Sequence, residues 1–497
     1  MFMRLVSTGL MVFTTCLINA QSTQKLPEFA LKVSEPEAHL RFLAADELLG
    51  RRTGEPGNQK AAEYIADYFK KVGVKPAVSG SYFQPVALET IHPSTKGTIT
   101  TSEGAAQVMD DFVLMSGAGV QLQNAEIVYL PYGWVDAEKG YDDYAGIDVK
   151  NKVVVVGVGF PESKSPQDMF GAMDDKAKWA QAKGAKAIIE VFNSPIPWRN
   201  IAGYFGRKST RLVSKEVDTF PHVWISSSAA KILAKNKVNQ VDIAIEPPVS
   251  KPLASSNVIG LIEGTDPKLK NEFIVLSAHY DHVGTGKENG RVTATDTIFN
   301  GARDNAFGTT AILTAAKALA QEKTKRSILL IAYTGEEIGL LGSKFYAENP
   351  VIPLEKCVYN LNCDGAGYND TSLLTVIGLS RTSGQVQIQK AAEAFGLKAV
   401  EDSAPEQNLF DRSDNVSLAA KGIPAPTYSP GFTAFDDRIN QYYHQVADEA
   451  DSVDFGYLLK YCQSYIYSAR LIANEAQAPT WKAGDKYEKA FQKLFSK

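Results

Sequence analysis

The chain is poor in cysteine. It has 4 in 497 residues, at positions 16, 357, 363 and 462. So low a count excludes a disulfide framework. Cys357 and Cys363 flank one apolar stretch, which as a strand at about 3.3 Å per residue holds them ~20 Å apart, too far to bridge. They are expected as small buried hydrophobes. There is no excess of basic charge either. Lys and Arg number 52 against 56 Asp and Glu, a net charge of −4. That balance gives no footprint for nucleic acid. No internal repeat or low-complexity tract is present. Gly284-Thr285-Gly286-Lys287 is no phosphate loop, because Glu288 stands where a hydroxyl is needed. A G-x-S-x-G nucleophile elbow is also missing from the apolar strands.

Long hydrophobic runs are missing beyond the N-terminus, so no membrane span is expected. Residues 1–20 read as a signal peptide. Arg4 supplies charge, Leu5 to Ile18 is apolar but short, and Ala20 precedes the expected cut at Gln21. The expectation is export to the periplasm or the exterior. A lipoprotein acylated at Cys16 is the poorer alternative, since Phe13-Thr14-Thr15 suits that processing badly.

What is present is a composition that is 44% hydrophobic, in a chain long enough for more than one domain. Residues 35–49 and 56–73 carry helical apolar spacing, closed in the second by Gly73. From 105 to 250 the texture turns to short β-rich runs, such as Val153-Val154-Val155-Val156, with one helix near 174–183. Pro247, Pro248 and Pro252 end that stretch. Beyond 255, apolar strands (Phe273–Ala278, Ser327–Tyr333, Val358–Cys363) alternate with helices at 306–322 and 337–347. This pattern predicts an α/β fold: a three-layer, mainly parallel sheet with helices on both faces, plus a smaller β-rich inserted domain. The expected divisions are 27–104 with 251–478, an insert at 105–250, and a tail at 479–497 that could form an amphipathic helix.

The chemistry gathers just past the strand ends, where open α/β sheets place their sites. Ser277-Ala278-His279-Tyr280-Asp281 offers two possible metal-binding side chains on one side of a strand end. Asp281 is either a ligand or the acceptor that holds the imidazole of a ligand. His282, on the other side of the alternation, is expected to stand apart. Asp304 precedes a small-residue helix. It either satisfies that helix's free N–H groups or is shared between two cations. Glu336 and Glu337 are adjacent, so their side chains diverge; one can coordinate while the other handles protons. Asp364 follows the next strand, and His444 comes later.

These stretches, together with Arg412-Ser413-Asp414, Gly422-Ile423-Pro424 and Tyr443-His444, resemble metallopeptidase family twenty-eight. That family includes secreted bacterial double-zinc leucyl aminopeptidases and, more distantly, glutamate carboxypeptidase. The resemblance spans most of 255–470. It implies a zinc-exopeptidase (phosphorylase/hydrolase-like) fold, peptide substrates and two Zn²⁺ ions. It further implies that His279 and Asp364 hold one ion, Glu337 and His444 the other, and Asp304 bridges them. Glu336 would be the general base, Asp281 would orient His279, and Tyr443 would stabilise the oxyanion. Residues 105–250 resemble a protease-associated domain. Arg303 and Phe307 depart from the family, which more often has an acidic or small residue and a small residue there, so they are expected to reshape the pocket. Three rivals stand beside this reading: a carboxypeptidase for acidic C-termini, drawing on Arg303, Arg381 or Arg412; a receptor-like binding protein on the same fold that has lost its ligands; and a related paired-zinc deacylase, whose extra domain follows the acidic ligands whereas this chain's precedes His279.

Overall fold

The computed structural model describes residues 26–214, 219–287 and 290–496. The expected leader and Cys16 lie outside the described residues. The chain divides into two units, one of Met1–Ala87 with Ala254–Lys497 and one of Leu88–Leu253. No helix among the described residues is long and apolar enough to cross a membrane.

The first unit holds strands β1 (Val249–Ile262), β2 (Phe273–His279), β3 (Ser327–Tyr333), β4 (Cys357–Cys363), β5 (Leu373–Ile377), β6 (Lys398–Val400) and β7 (Thr427–Pro430). They lie in the order β1-β3-β2-β4-β7-β5-β6. The middle four, β3-β2-β4-β7, run parallel, while β1 runs antiparallel to β3, and β5 runs antiparallel to β7 and parallel to β6. Its longer helices are α1 (Ser34–Leu43), α2 (Pro56–Lys71), α3 (Phe307–Gln321), α4 (Leu341–Glu348), α5 (Gln385–Ala394), α6 (Asn415–Ala419), α7 (Phe455–Asn474) and α8 (Glu488–Phe495).

Alternation along the strands divides the core. Ile274, Leu276 and Ala278 join Leu330 and Leu361 in a cluster with residues of α1, α2, α3 and α7. Val275, Leu329, Ile331 and Tyr333 face the other way, with Tyr346 of α4 and Leu418 of α6. Both faces are therefore covered, which is why β2 and β3 are apolar at nearly every position. The result is the expected α/β sandwich. Cys357, Cys363 and Cys462 are free and buried.

Register positions the site. His279 lies beside Tyr333, and Ala278 beside Cys363. The loops leaving β2, β3 and β4 therefore emerge on one edge. Two helices are shorter than their sequence pattern. The first ends at Leu43 and continues as a 3₁₀ turn, Asp46–Arg51, with Leu49 and Arg51 at positive φ. The helix expected at 337–347 starts only at Leu341. Leu340 is left-handed (φ 60°), and the Glu336 and Glu337 amides are drawn to the Asp281 carboxylate instead of opening a helix.

The second unit is an eight-stranded sheet. Val120–Tyr129, Val153–Gly157, Ala187–Phe192 and His222–Ser226 are parallel neighbours at its centre. Its break from the first unit falls at Ala87–Leu88, inside the strand Phe83–His92.

Candidate metal centre

His279 ends β2, Asp364 directly follows β4, and Glu336 and Glu337 follow β3 after a short turn. Asp304 sits in the turn that enters α3, and His444 lies on a loop with left-handed backbone (φ 53°). All five residues that the resemblance assigns to metal converge. His279 Nε2 is 3.2 Å from Asp364 Oδ1 and 3.4 Å from Asp304 Oδ1. His444 Nε2 is 3.2 Å from Asp304 Oδ2 and 3.1 Å from Glu337 Oε2. Asp304 thus turns one oxygen to each imidazole. Two groups of donors able to hold an ion follow: His279, Asp304 and Asp364, and His282, Asp304, Glu337 and His444.

The electrostatics separate the two adjacent glutamates. Burial raises both carboxyls, and for Glu337 the nearby Asp304 adds to that. The His282 and His444 imidazoles outweigh these effects and bring Glu337 down to about 2. Glu336 stays well above the ordinary carboxylate range through burial and the charges of Asp364, Glu337 and Asp414, against the pull of His279. Burial alone would lower the imidazoles. Asp304 and Glu337 instead lift His444 to about 10, and Glu336 and Asp364 carry His279 well above 6.5. Burial tends to raise Asp304, yet the two imidazoles hold it well below its usual value. So dense a set of buried carboxylates facing imidazoles is a candidate cation site by its chemistry.

Asp281 works through its neighbours. Its carboxylate is 3.7 Å from His279 Nδ1, while its main-chain carbonyl is the nearer partner at 3.2 Å. The carboxylate accepts instead from the Thr53 hydroxyl at 2.9 Å and from the amides of Glu336 and Glu337 at 3.2 and 3.4 Å. It therefore fixes the turn that presents both glutamates. Tyr443 lines the pocket over the site, and its hydroxyl accepts from Arg412 at 3.3 Å. Burial raises its pKa, so it remains a phenol able to donate.

Three residues join that sequence reading did not place. His282 comes into the cluster against expectation, with Nδ1 2.6 Å from Glu337 Oε1. Gly301 makes room for it, since a Cβ there would meet the His282 ring at 2.6 Å. Arg51 is buried and donates to the carbonyls of Leu43, Tyr280, Asn300 and Gly301. It thereby ties together the loops that carry His279 and Asp304. Asp448, also buried, accepts the amides of Arg303 and Asp304. Its spacing of four from His444 was the available sequence signal.

Neither family departure reaches the pocket. Arg303 bonds Asp448 at 3.1 Å and stacks 3.6 Å over the Tyr442 ring. Phe307 is fully buried against Tyr461. The pocket beside the cluster is walled by Ile377, Leu409, Phe432, Phe435 and Ile439, with Arg412 at its edge.

Residues 257–467 match peptidase family M28. The aminopeptidase YwaD of Bacillus subtilis (strain 168) is 24% identical over 456 residues, spanning 88% of this chain and 87% of that protein. A probable leucine aminopeptidase 2 of Aspergillus oryzae is 26% identical over 296 residues, 55% of this chain and 54% of the relative. Among solved structures, the aminopeptidase from Aneurinibacillus sp. strain AM-1 aligns over 91% of this chain and 97% of its own. Its TM-score is 0.53 at 22% identity, a likeness of fold.

Proposed function

We propose, since the chain belongs to peptidase family M28, that it is an exported zinc-dependent aminopeptidase removing N-terminal residues from peptides. The observation that carries the reading is the Asp304 carboxylate, with one oxygen toward His279 and the other toward His444. Zinc arms of about 2.0–2.1 Å at tetrahedral angles set neighbouring ligand atoms about 3.3 Å apart. The four imidazole–carboxylate separations here are 3.1 to 3.4 Å, so the donor set fits. His279 and Asp364 would hold one ion and Glu337 and His444 the other, with Asp304 shared.

Such a metal pair supplies, when bound, Lewis-acid activation of a carbonyl and of water. The protein's own groups do the rest. Glu336, poised to hold a proton, takes one from the attacking water at its carboxylate and returns it to the leaving amine nitrogen. The Tyr443 hydroxyl donates to the oxygen on which charge develops. Ile377, Leu409 and Phe432 take an apolar side chain, which favours leucine-like N-terminal residues. Residues 105–250, within the unit Leu88–Leu253, are the protease-associated insert of this reading.

A carboxypeptidase for acidic C-termini is the second reading. It rests on Arg412, since Arg303 is held by Asp448 and Arg381 by Asp485. An assay of aminoacyl-nitroanilides against N-blocked and C-terminal glutamyl peptides, with zinc measured in parallel, separates the two. Turnover of free N-termini with two zincs per chain is expected. Preference for the glutamyl peptides would reverse the conclusion. Mass spectrometry of the exported protein tests cleavage before Gln21.

A further inference from the structure

We propose that residues 479–496, outside the catalytic cluster, set the side-chain selectivity of the pocket by fixing one of its walls. The proposal rests on the aminopeptidase reading. The wall is residues 405–412, two 3₁₀ turns, Pro405–Gln407 and Leu409–Arg412, with no strand among them. Leu409 and Arg412 line the pocket. The two residues between them turn to the tail.

Phe410 is buried with Ile377, Ala419, Ala425 and Trp481, and Tyr487 and Phe491 pack against the group. Ile377 itself also lines the pocket. Arg381 stacks 3.8 Å over the Phe410 ring, and its Nε and Nη2 donate to Asp485 at 2.7 and 3.0 Å. The Asp411 carboxylate takes Lys486 Nζ at 2.7 Å on each oxygen and the Tyr487 hydroxyl at 3.2 Å. The tail is anchored in turn. Trp481 Nε1 donates to the Gly422 carbonyl at 2.9 Å. A Cβ on Gly422 would meet the Ala490 backbone at 2.6 Å, so the tail lies flush against that turn.

A lone exposed ion pair would contribute little. Here a forked Arg381–Asp485 pair, aromatic stacking and a buried tryptophan act on one eight-residue wall that has no sheet to hold it. Loosening the tail should let Leu409 shift against Ile377, which β5 holds in the sheet. The pocket would then lose discrimination between a large and a small apolar side chain, while the metal donors, at the ends of β2, β3 and β4, in the turn into α3 and on the His444 loop, stay in place.

The test uses the full chain with Asp485→Ala plus Lys486→Ala, and separately Trp481→Ala, with Trp481→Phe as the conservative control. kcat and KM are measured on leucyl- and alanyl-nitroanilide, together with zinc content and amide hydrogen exchange. The leucyl-to-alanyl ratio of kcat/KM should fall roughly threefold to tenfold, through KM for the leucyl substrate. Exchange should rise over 405–412 but not in Phe273–His279, zinc should stay constant, and Trp481→Phe should restore most of the ratio. An unchanged ratio or unchanged exchange in the double variant overturns the proposal even if Trp481→Ala fails to fold. A wild type inactive on every aminoacyl substrate overturns the parent reading and this one together, and is seen before any variant is made.

Discussion

One oxygen of Asp448 accepts the main-chain N–H of Asp304 at 3.2 Å. The same carboxylate takes the Arg303 amide and guanidinium, and its own carbonyl takes the Ala302 amide at 3.1 Å. The loop bearing His444 is thus fastened to the turn bearing Asp304, and the distance between those two side chains follows from that fastening. Asp448→Asn keeps the volume but sets an amide N–H₂ against donors and removes the charge facing Arg303. Loss of such an outer partner is expected to weaken zinc binding about 10–100-fold with the fold retained. Competition with a chelator, alongside circular dichroism, measures it.

The strands and the places of most candidate metal donors were legible because they follow local rules. Apolar β2, β3 and β4 end where turn residues begin; His279 ends β2, and Glu336, Glu337 and Asp364 stand just past β3 and β4. What could not be read depends on contacts across distant segments. Arg51 lies more than two hundred residues from Asn300 and Gly301, and nothing near it announces four carbonyl partners. His282 was set aside on strand alternation, but β2 ends at His279, so alternation no longer governs its direction. The start of α4 slipped to Leu341 because the Asp281 carboxylate competes for the Glu336 and Glu337 amides. The boundary at Ala87–Leu88 had no textural sign, since one continuous strand crosses it.

Arg51 gives a stability prediction. Its planar fork reaches four carbonyls, which a lysine ammonium cannot reproduce. Each buried carbonyl left unpaired costs about 1–3 kcal/mol, so Arg51→Lys should destabilise the chain by roughly 3–5 kcal/mol. Denaturant unfolding should show a lower midpoint at an unchanged slope. A shift of under ~1 kcal/mol would show that water satisfies those carbonyls.

His39 gives a pH dependence. Burial, then the charges of Lys317 and Lys71, lower its pKa from 6.5 to about 4, and its Nδ1 lies 2.7 Å from the Tyr64 hydroxyl. The folded value is depressed, so the unfolded chain takes the proton first. The contribution is full above pH 6.5 and is lost as pH falls toward 4, by about 1.4 kcal/mol per unit and roughly 3 kcal/mol in all. His39→Gln should flatten that limb of the stability profile. Parallel slopes for the wild type and the variant between pH 6.5 and 4 would remove His39 as the cause.

Glu336 and Glu337 provide the sharpest contrast, because neighbours in sequence should fail in different ways. Glu337 lies 3.1 Å from His444 Nε2 and 2.6 Å from His282 Nδ1, within the donor set. Glu336 is farther from its nearest imidazole, 3.9 Å from His279 Nε2, and burial raises the proton affinity of its carboxylate. Glu336→Gln should therefore keep both zincs and lose turnover by about 10²–10⁴-fold, the usual worth of a general base. Glu337→Gln should lose occupancy at one site, because a neutral amide is a poor ligand where a carboxylate is needed. Both amides remain free to bond Asp281, so the turn itself is not at stake in either variant. Zinc stoichiometry and kcat, measured on the same preparations, decide the matter. Equal zinc loss in the two variants would assign both to coordination, and full activity in Glu336→Gln would leave the proton transfer without its base.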